Sequence, residues 1–202
     1  MNAVSLWVIL LHQWIEIQRA FVNGWMKIAR NTTKVRNMIL DATAGNRMIW
    51  PKKNPPYTIF MDKEHDLART PDMVADFRFC PFRDDVFDCI IFDPPYSTSQ
   101  VIWFMNKGIR QDAHGGIGSY YGKFKSKREM FSSIDKAQRE FSRLTNRLCF
   151  KWNEYQVSLW KILPFFSEWK EIHRMEIPLQ LRKGVRNSKN KSWWVTFIHS
   201  RD

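Results

Sequence analysis

Residues 87–96 read Phe87-Asp88-Cys89-Ile90-Ile91-Phe92-Asp93-Pro94-Pro95-Tyr96. An apolar, strand-forming run ends there in a carboxylate, two prolines and an aromatic ring. Proline fixes its own φ, offers no N–H and turns the preceding residue away from helix. Asp93 is therefore expected at the tip of a buried strand, extended, with main-chain carbonyls free beside it. One charged acceptor, nearby carbonyl acceptors and a flat ring suit a planar ligand that carries an amino group. A nucleobase fits that description. A Pro-Pro pair alone marks only a turn, so the weight of the reading comes from what flanks it.

Three strand candidates precede this one: Val35–Ala42, Tyr57–Met61 and Met73–Ala75. Three follow it: Arg147–Trp152, Trp169–Ile177 and Trp193–His199. Strands alternating with crossovers argue for a largely parallel sheet covered on its faces. The last two runs are joined by a polar, glycine-containing stretch rather than a helical one, which predicts an antiparallel pair at the sheet edge. No internal repeat or low-complexity segment interrupts the pattern.

Each of the first four strands ends in an acid. Asp41 leads into Ala42-Thr43-Ala44-Gly45-Asn46, a small-residue turn that lets a ligand come close to the backbone. This is neither a Gly-x-Gly-x-x-Gly fingerprint nor a phosphate-loop lysine pattern. Asp62 follows Asp41 by 21 residues, where such sheets commonly hold a ribose through its hydroxyls. Asp76, with Phe77 after it, offers a carboxylate and a ring to the edge and face of an adenine. Any one of these acids reads equally well as a cap or turn residue. Four in register after four successive strands read as a site.

The 202-residue chain is long enough for a single α/β domain with a sizeable core. Its formal charge of +12 is lopsided: residues 1–100 hold 12 basic and 11 acidic side chains, residues 101–202 hold 20 and 9. A near-neutral first half beside a cationic second half suggests a cofactor-binding half and a polyanion-facing half. Ten Trp and fifteen Phe leave rings to spare for stacking once a core is filled. Together they favour nucleic acid as partner.

Two stretches are candidates for meeting it. The segment 97–128 carries Gly115, Gly116 and Gly118 and then Tyr120, Tyr121, Lys123, Phe124 and Lys125, rings and cations mixed as flipped or single-stranded nucleotides require; helix is expected from about Ser126. The loop 181–191 has five cations, among them Arg182, Lys183 and Arg186, and no acid. It reads as a flexible hairpin loop that meets phosphates.

Cys80, Cys89 and Cys149 lack Cys-x-x-Cys spacing, and two lie inside apolar runs, so buried thiols in a reducing cytoplasm are expected and a metal site is not. The apolar run Leu6–Leu11 is too short to span a bilayer. It lacks the flanks of a secretory signal as well. Residues 1–34 read as an amphipathic helical segment, with Leu10, Trp14, Ile17 and Phe21 along one face. The main domain is expected over 35–202.

These ordered motifs resemble the class I S-adenosylmethionine-dependent methyltransferases, in particular those that modify exocyclic amino groups of nucleobases. The resemblance spans roughly residues 35–199. It matches Asp41–Gly45 to the first motif (here with one glycine), Asp62 to the ribose-binding acid, Asp76 and Phe77 to the adenine-binding position, and Asp93, Pro94, Pro95 and Tyr96 to the catalytic tetrapeptide. The block Phe150-Lys151-Trp152-Asn153-Glu154 is similar to one in small stand-alone phage and archaeal enzymes, which makes Asn153 a substrate-binding candidate. The resemblance implies a Rossmann-like α/β fold: seven strands, mostly parallel, helices on both faces, an antiparallel C-terminal edge pair. It also implies S-adenosyl-L-methionine as cofactor and methylation of cytosine N4 or adenine N6. The small, basic domain without a separate target-reading module leans toward structured RNA such as rRNA or tRNA. DNA adenine-N6 or cytosine-N4 methylation is the next alternative, followed by guanine N2 in RNA and a non-catalytic RNA-binding subunit.

Overall fold

The computed structural model describes residues 38–98, 123–177 and 190–199. The elements are β1 (Ile39–Asp41), β2 (Thr58–Asp62), β3 (Met73–Val74), β4 (Cys89–Phe92), helix α1 (Lys127–Leu144), β5 (Arg147–Asn153), the short helix α2 (Leu159–Ile162) with a 3-10 turn at Leu163–Phe165, β6 (Trp169–Glu176) and β7 (Ser192–His199). The strands form one sheet in the order β3-β2-β1-β4-β5-β7-β6. Neighbours from β3 to β5 pair in parallel; β7 runs antiparallel to both β5 and β6. The fold is thus a Rossmann-like, seven-stranded, mostly parallel sheet with a reversed C-terminal strand. The expected C-terminal pair exists, but β7 inserts between β5 and β6, leaving β6 at the edge. Residues 1–37, 99–122, 178–189 and 200–202 lie outside the described residues, among them the N-terminal helical segment.

Strand alternation sorts the side chains cleanly. Leu40, Met61, Ile90, Phe92, Leu148, Phe150, Trp152, Val195 and Phe197 all belong to the main buried cluster. Helix α1 covers this face through Met130, Ile134, Ala137, Phe141 and Leu144, spaced as one helical stripe. Phe92 stands at its centre, edge-on to Phe77 and Phe141 and tilted against Phe150. A smaller cluster of Ala44, Trp50 and Phe60, with Ile39 and Ile91 against it, fills the other side of β1.

Helix α1 begins where its sequence says it should. The Ser126 hydroxyl accepts the Glu129 N–H at 3.1 Å, and the Glu129 carboxylate reaches back to the Lys125 N–H at 2.5 Å. That is a Ser-x-x-Glu start with the return bond displaced by one residue. Near its other end Arg143 donates to the carbonyls of Cys80 (2.7 Å) and Phe82 (2.6 Å), tying the helix to the segment between β3 and β4. No described helix is long and apolar enough to cross a membrane.

Candidate active site

The parallel strands β1, β2 and β4 end together, and loops after parallel strands are where ligands bind in open α/β sheets. Three hydrogen bonds lock these tips. The Thr43 hydroxyl accepts the Asp93 N–H at 2.8 Å, joining the turn after β1 to the tetrapeptide. Asp62 Oδ2 accepts the Gly45 N–H at 2.8 Å, joining the same turn to β2. Ala44 N–H donates to the Met61 carbonyl at 2.9 Å. Gly45 sits at φ +47°, the left-handed region that glycine enters without strain.

Above these tips lies a cavity of about 450 Å³, lined by Ala42–Asn46, Asp62, Phe77, Asp93, Pro95 and Lys123 among others. Its size is that of a small-molecule site. The sequence-derived residues Thr43, Ala44, Gly45, Asp62, Phe77 and Asp93 therefore converge on one crevice. Asn46, which also lines it, buries a side-chain oxygen with no hydrogen-bond partner among the described residues. An unpaired buried acceptor is costly and suits a ligand that brings an N–H.

Asp41 does not line the cavity. It lies fully buried beneath it, accepting the Trp50 indole N–H at 2.6 Å and the Thr43 N–H at 3.2 Å. Burial pushes its carboxyl from the ordinary 3.8 up to about 7 against those hydrogen bonds, and the charges of Asp93 and Asp62 add to the rise. Trp50 was not legible as a site residue; it lies nine residues past Asp41 in an irregular turn with no periodic signal.

A testable pH dependence follows. With the folded value above the unfolded one, the folded state binds more protons between them. The associated stabilisation is complete below 3.8 and lost as pH rises through about 7. Across that window wild type should lose stability relative to Asp41→Asn, with a slope approaching about 1.4 kcal/mol per pH unit. Urea unfolding of both proteins at several pH values measures it, and parallel curves would deny the shift.

Asp76 departs from its expected place. Its carboxylate is gripped by Arg78, through Nε to Oδ1 at 2.9 Å and Nη2 to Oδ2 at 2.5 Å, and it is not among the residues lining the cavity. Burial pushes the Asp76 carboxyl up, but hydrogen bonds and charge from Arg78 outweigh it and hold it below its usual value. The ring of Phe77 remains at the cavity while the acid beside it orders the backbone.

The tetrapeptide divides its labour. Pro95 lines the cavity, Pro94 is buried, and the half-buried Tyr96 ring meets Tyr155 edge-on at 6.4 Å between centroids. The Asp93 side chain is only 7% exposed, and its Oδ2 is paired with Lys151 Nζ at 2.6 Å. Lys151 is the second residue missed from sequence. Its signal was a lone cation inside Leu148-Cys149-Phe150-Lys151-Trp152, a strand otherwise buried.

Of the substrate candidates, Lys123 lines the cavity, Lys125 is exposed at the start of α1, and Asn153 donates to the Ser192 hydroxyl at 2.8 Å across the β5–β7 ladder. Tyr120, Tyr121, Arg182, Lys183 and Arg186 lie outside the described residues. The three cysteines are free and buried. Among the described residues no group of His, Cys, Asp and Glu is placed to hold a metal.

The class this architecture defines is visible in solved structures. The chain is similar to the PH0226 protein from Pyrococcus horikoshii OT3, at 9% identity over 91% of each chain with a TM-score of 0.52. It is similar to the hMettl16 catalytic domain solved with the MAT2A 3′UTR hairpin 6, at 11% identity over 90% of this chain and 70% of that one, TM-score 0.50. A looser match, TM-score 0.45 at 14% identity over 94% and 97%, is a TehB-like SAM-dependent methyltransferase from Corynebacterium glutamicum. At such identities the likeness is one of fold. No family model and no curated protein matches the chain.

Proposed function

We propose that the protein is an S-adenosylmethionine-dependent N-methyltransferase acting on an exocyclic amino group of a nucleobase, cytosine N4 or adenine N6, in structured RNA such as rRNA or tRNA. The observation that carries this reading is the single cavity in which the small-residue turn and Asp62 face Asp93 and Pro95. The residues fit the cofactor. Asp62 would hold ribose hydroxyls, Phe77 would lie against the adenine, and the unpartnered oxygen of Asn46 would receive an N–H of the amino-acid end. Asp62 brings a carboxylate to the crevice wall, which suits a cation. When bound, S-adenosylmethionine supplies an electrophilic methyl group on a sulfonium centre.

The chain's own part concerns the amine. An exocyclic amino group is a poor nucleophile because its lone pair is delocalised into the ring. Asp93 accepts one amino hydrogen and the Pro94 carbonyl the other, favouring the pyramidal nitrogen reached near the transition state. Tyr96 stacks on the base and keeps that nitrogen in line for transfer. A paired base must first be flipped out; one in an RNA loop is already free.

The preference for RNA rests on the basic second half of the chain and its rings. The test is transfer of a tritiated methyl group from S-adenosylmethionine to total RNA and to denatured genomic DNA, followed by nucleoside digestion and mass spectrometry. Methylated cytosine or adenine in the RNA arm is expected. Label confined to DNA would reassign the substrate, and none in either arm would refute the activity.

A further inference from the structure

The Asp93–Lys151 pair does more than hold a carboxylate still. In β5 the odd-numbered residues Cys149, Lys151 and Asn153 share a face opposite the buried Phe150 and Trp152. On that face the Lys151 ammonium sits 2.6 Å from Oδ2 of Asp93, the residue just past β4, with the side chain four-fifths shielded from solvent. Lys151 does not line the cofactor cavity, whereas Asp93 does. The lysine therefore meets the carboxylate from outside the cavity lining.

Each member of the pair keeps unused capacity. An ammonium has three N–H donors and a carboxylate two oxygens. Among the described residues one Lys151 donor is engaged, by Asp93, and Asp93 Oδ1 has no partner. Side by side, the pair presents one open acceptor and one open donor. The complementary ligand edge is an amino group flanked by a ring-nitrogen acceptor. Adenine has it (N6 between N1 and N7), and so does cytosine (N4 beside N3). Guanine carries such an acceptor too, N3 on the sugar edge beside its amino group, whereas its Watson–Crick edge sets the N1–H donor there, which would face the ammonium donor to donor.

We propose that Lys151 is a specificity-determining residue that donates to the ring nitrogen adjacent to the target amine, while Asp93 accepts from the amine itself. The inference rests on the amino-methyltransferase reading above and adds which edge of the base the site reads and what enforces the choice. A site built to hydrogen-bond a ring nitrogen discriminates against analogues without it, because its own donor is then left unpaired.

The experiment compares wild type, Lys151→Met and Lys151→Arg, with the affinity for S-adenosylmethionine measured first by calorimetry as a check on folding. Each is given tritiated methyl donor with total RNA and denatured DNA, and then a synthetic oligonucleotide carrying the identified target. A matched oligonucleotide replaces the ring nitrogen with C–H (1-deaza- or 7-deazaadenine, 3-deazacytosine). Wild type should make N6-methyladenine or N4-methylcytosine and slow about tenfold in kcat/KM on the relevant deaza substrate, as loss of one hydrogen bond to a charged group predicts. Lys151→Met should be slow on the parent by a similar factor yet treat parent and deaza alike, and Lys151→Arg should recover part of the preference. Wild type indifferent to every deaza change would overturn the role of Lys151, as would a deaza penalty surviving intact in Lys151→Met. If the product is N2-methylguanine, 3-deazaguanine serves as the matched substrate and the same two outcomes decide. Absence of methyl transfer to any base would bring down both.

Discussion

Asp93→Ala is expected to lower methyl transfer by at least about 10³-fold while leaving cofactor affinity within a few-fold of wild type, because it removes an acceptor whose value is greatest in the transition state. The carboxylate lines the cavity, but its contacts to the fold are few. Its N–H is held by the Thr43 hydroxyl whatever the side chain, and its side-chain partner among the described residues is Lys151. Truncation therefore strands a partly exposed ammonium rather than opening the core. Single-turnover assays at saturating donor measure the loss, and calorimetry the cofactor affinity. Turnover near wild type would remove Asp93 from the chemistry.

Asp62→Ala should show the opposite division: cofactor affinity down about 10²-fold, on the scale of losing two hydrogen bonds to a charged acceptor. Asp62 is also a joint in the fold. Its Oδ2 takes the Gly45 N–H at 2.8 Å and its Oδ1 the Glu64 N–H at 3.0 Å, so the truncation also loosens the turn that floors the cavity. Asp62→Asn separates the two effects, since the amide keeps one acceptor for a backbone N–H but loses the charge. If titration of Asp62→Ala gave an unchanged affinity, the ribose assignment would be wrong.

The sheet was legible because its signals are local. All seven strand candidates appear, and their errors have visible causes. Phe87 and Asp88, expected within the fourth strand, are drawn off by other partners: Phe87 N–H bonds the Leu144 carbonyl at 3.2 Å, and the Asp88 carboxylate takes the Met38 N–H at 2.9 Å. β5 runs one residue beyond expectation because Asn153 pairs with Ser192. Helix α2 has four residues, too few for a periodic signature, and its start is held by Glu154 accepting the Leu159 N–H at 2.8 Å. The convergence of the acids was legible for Asp62 and Asp93 through their position after strands. What escaped was side-chain pairing over distance. Lys151 and Asp93 are 58 residues apart, and nothing in either neighbourhood announces the other. Asp76 shows a local pairing instead: Arg78, two residues on, grips its carboxylate.

The reversed strand has a consequence for synthesis. Among the described residues β6 pairs with β7 alone, and β7 must wedge between β6 and the already paired β5. A chain emerging from the ribosome amino end first can assemble the parallel core through residue 153 early, but residues 169–176 stay a strand without a neighbour until residues 192–199 have cleared the exit tunnel. The cavity at the strand tips belongs to the part that assembles first. Truncation just ahead of Ser192 should leave a protein with a preformed pocket and a sticky, unzipped flank.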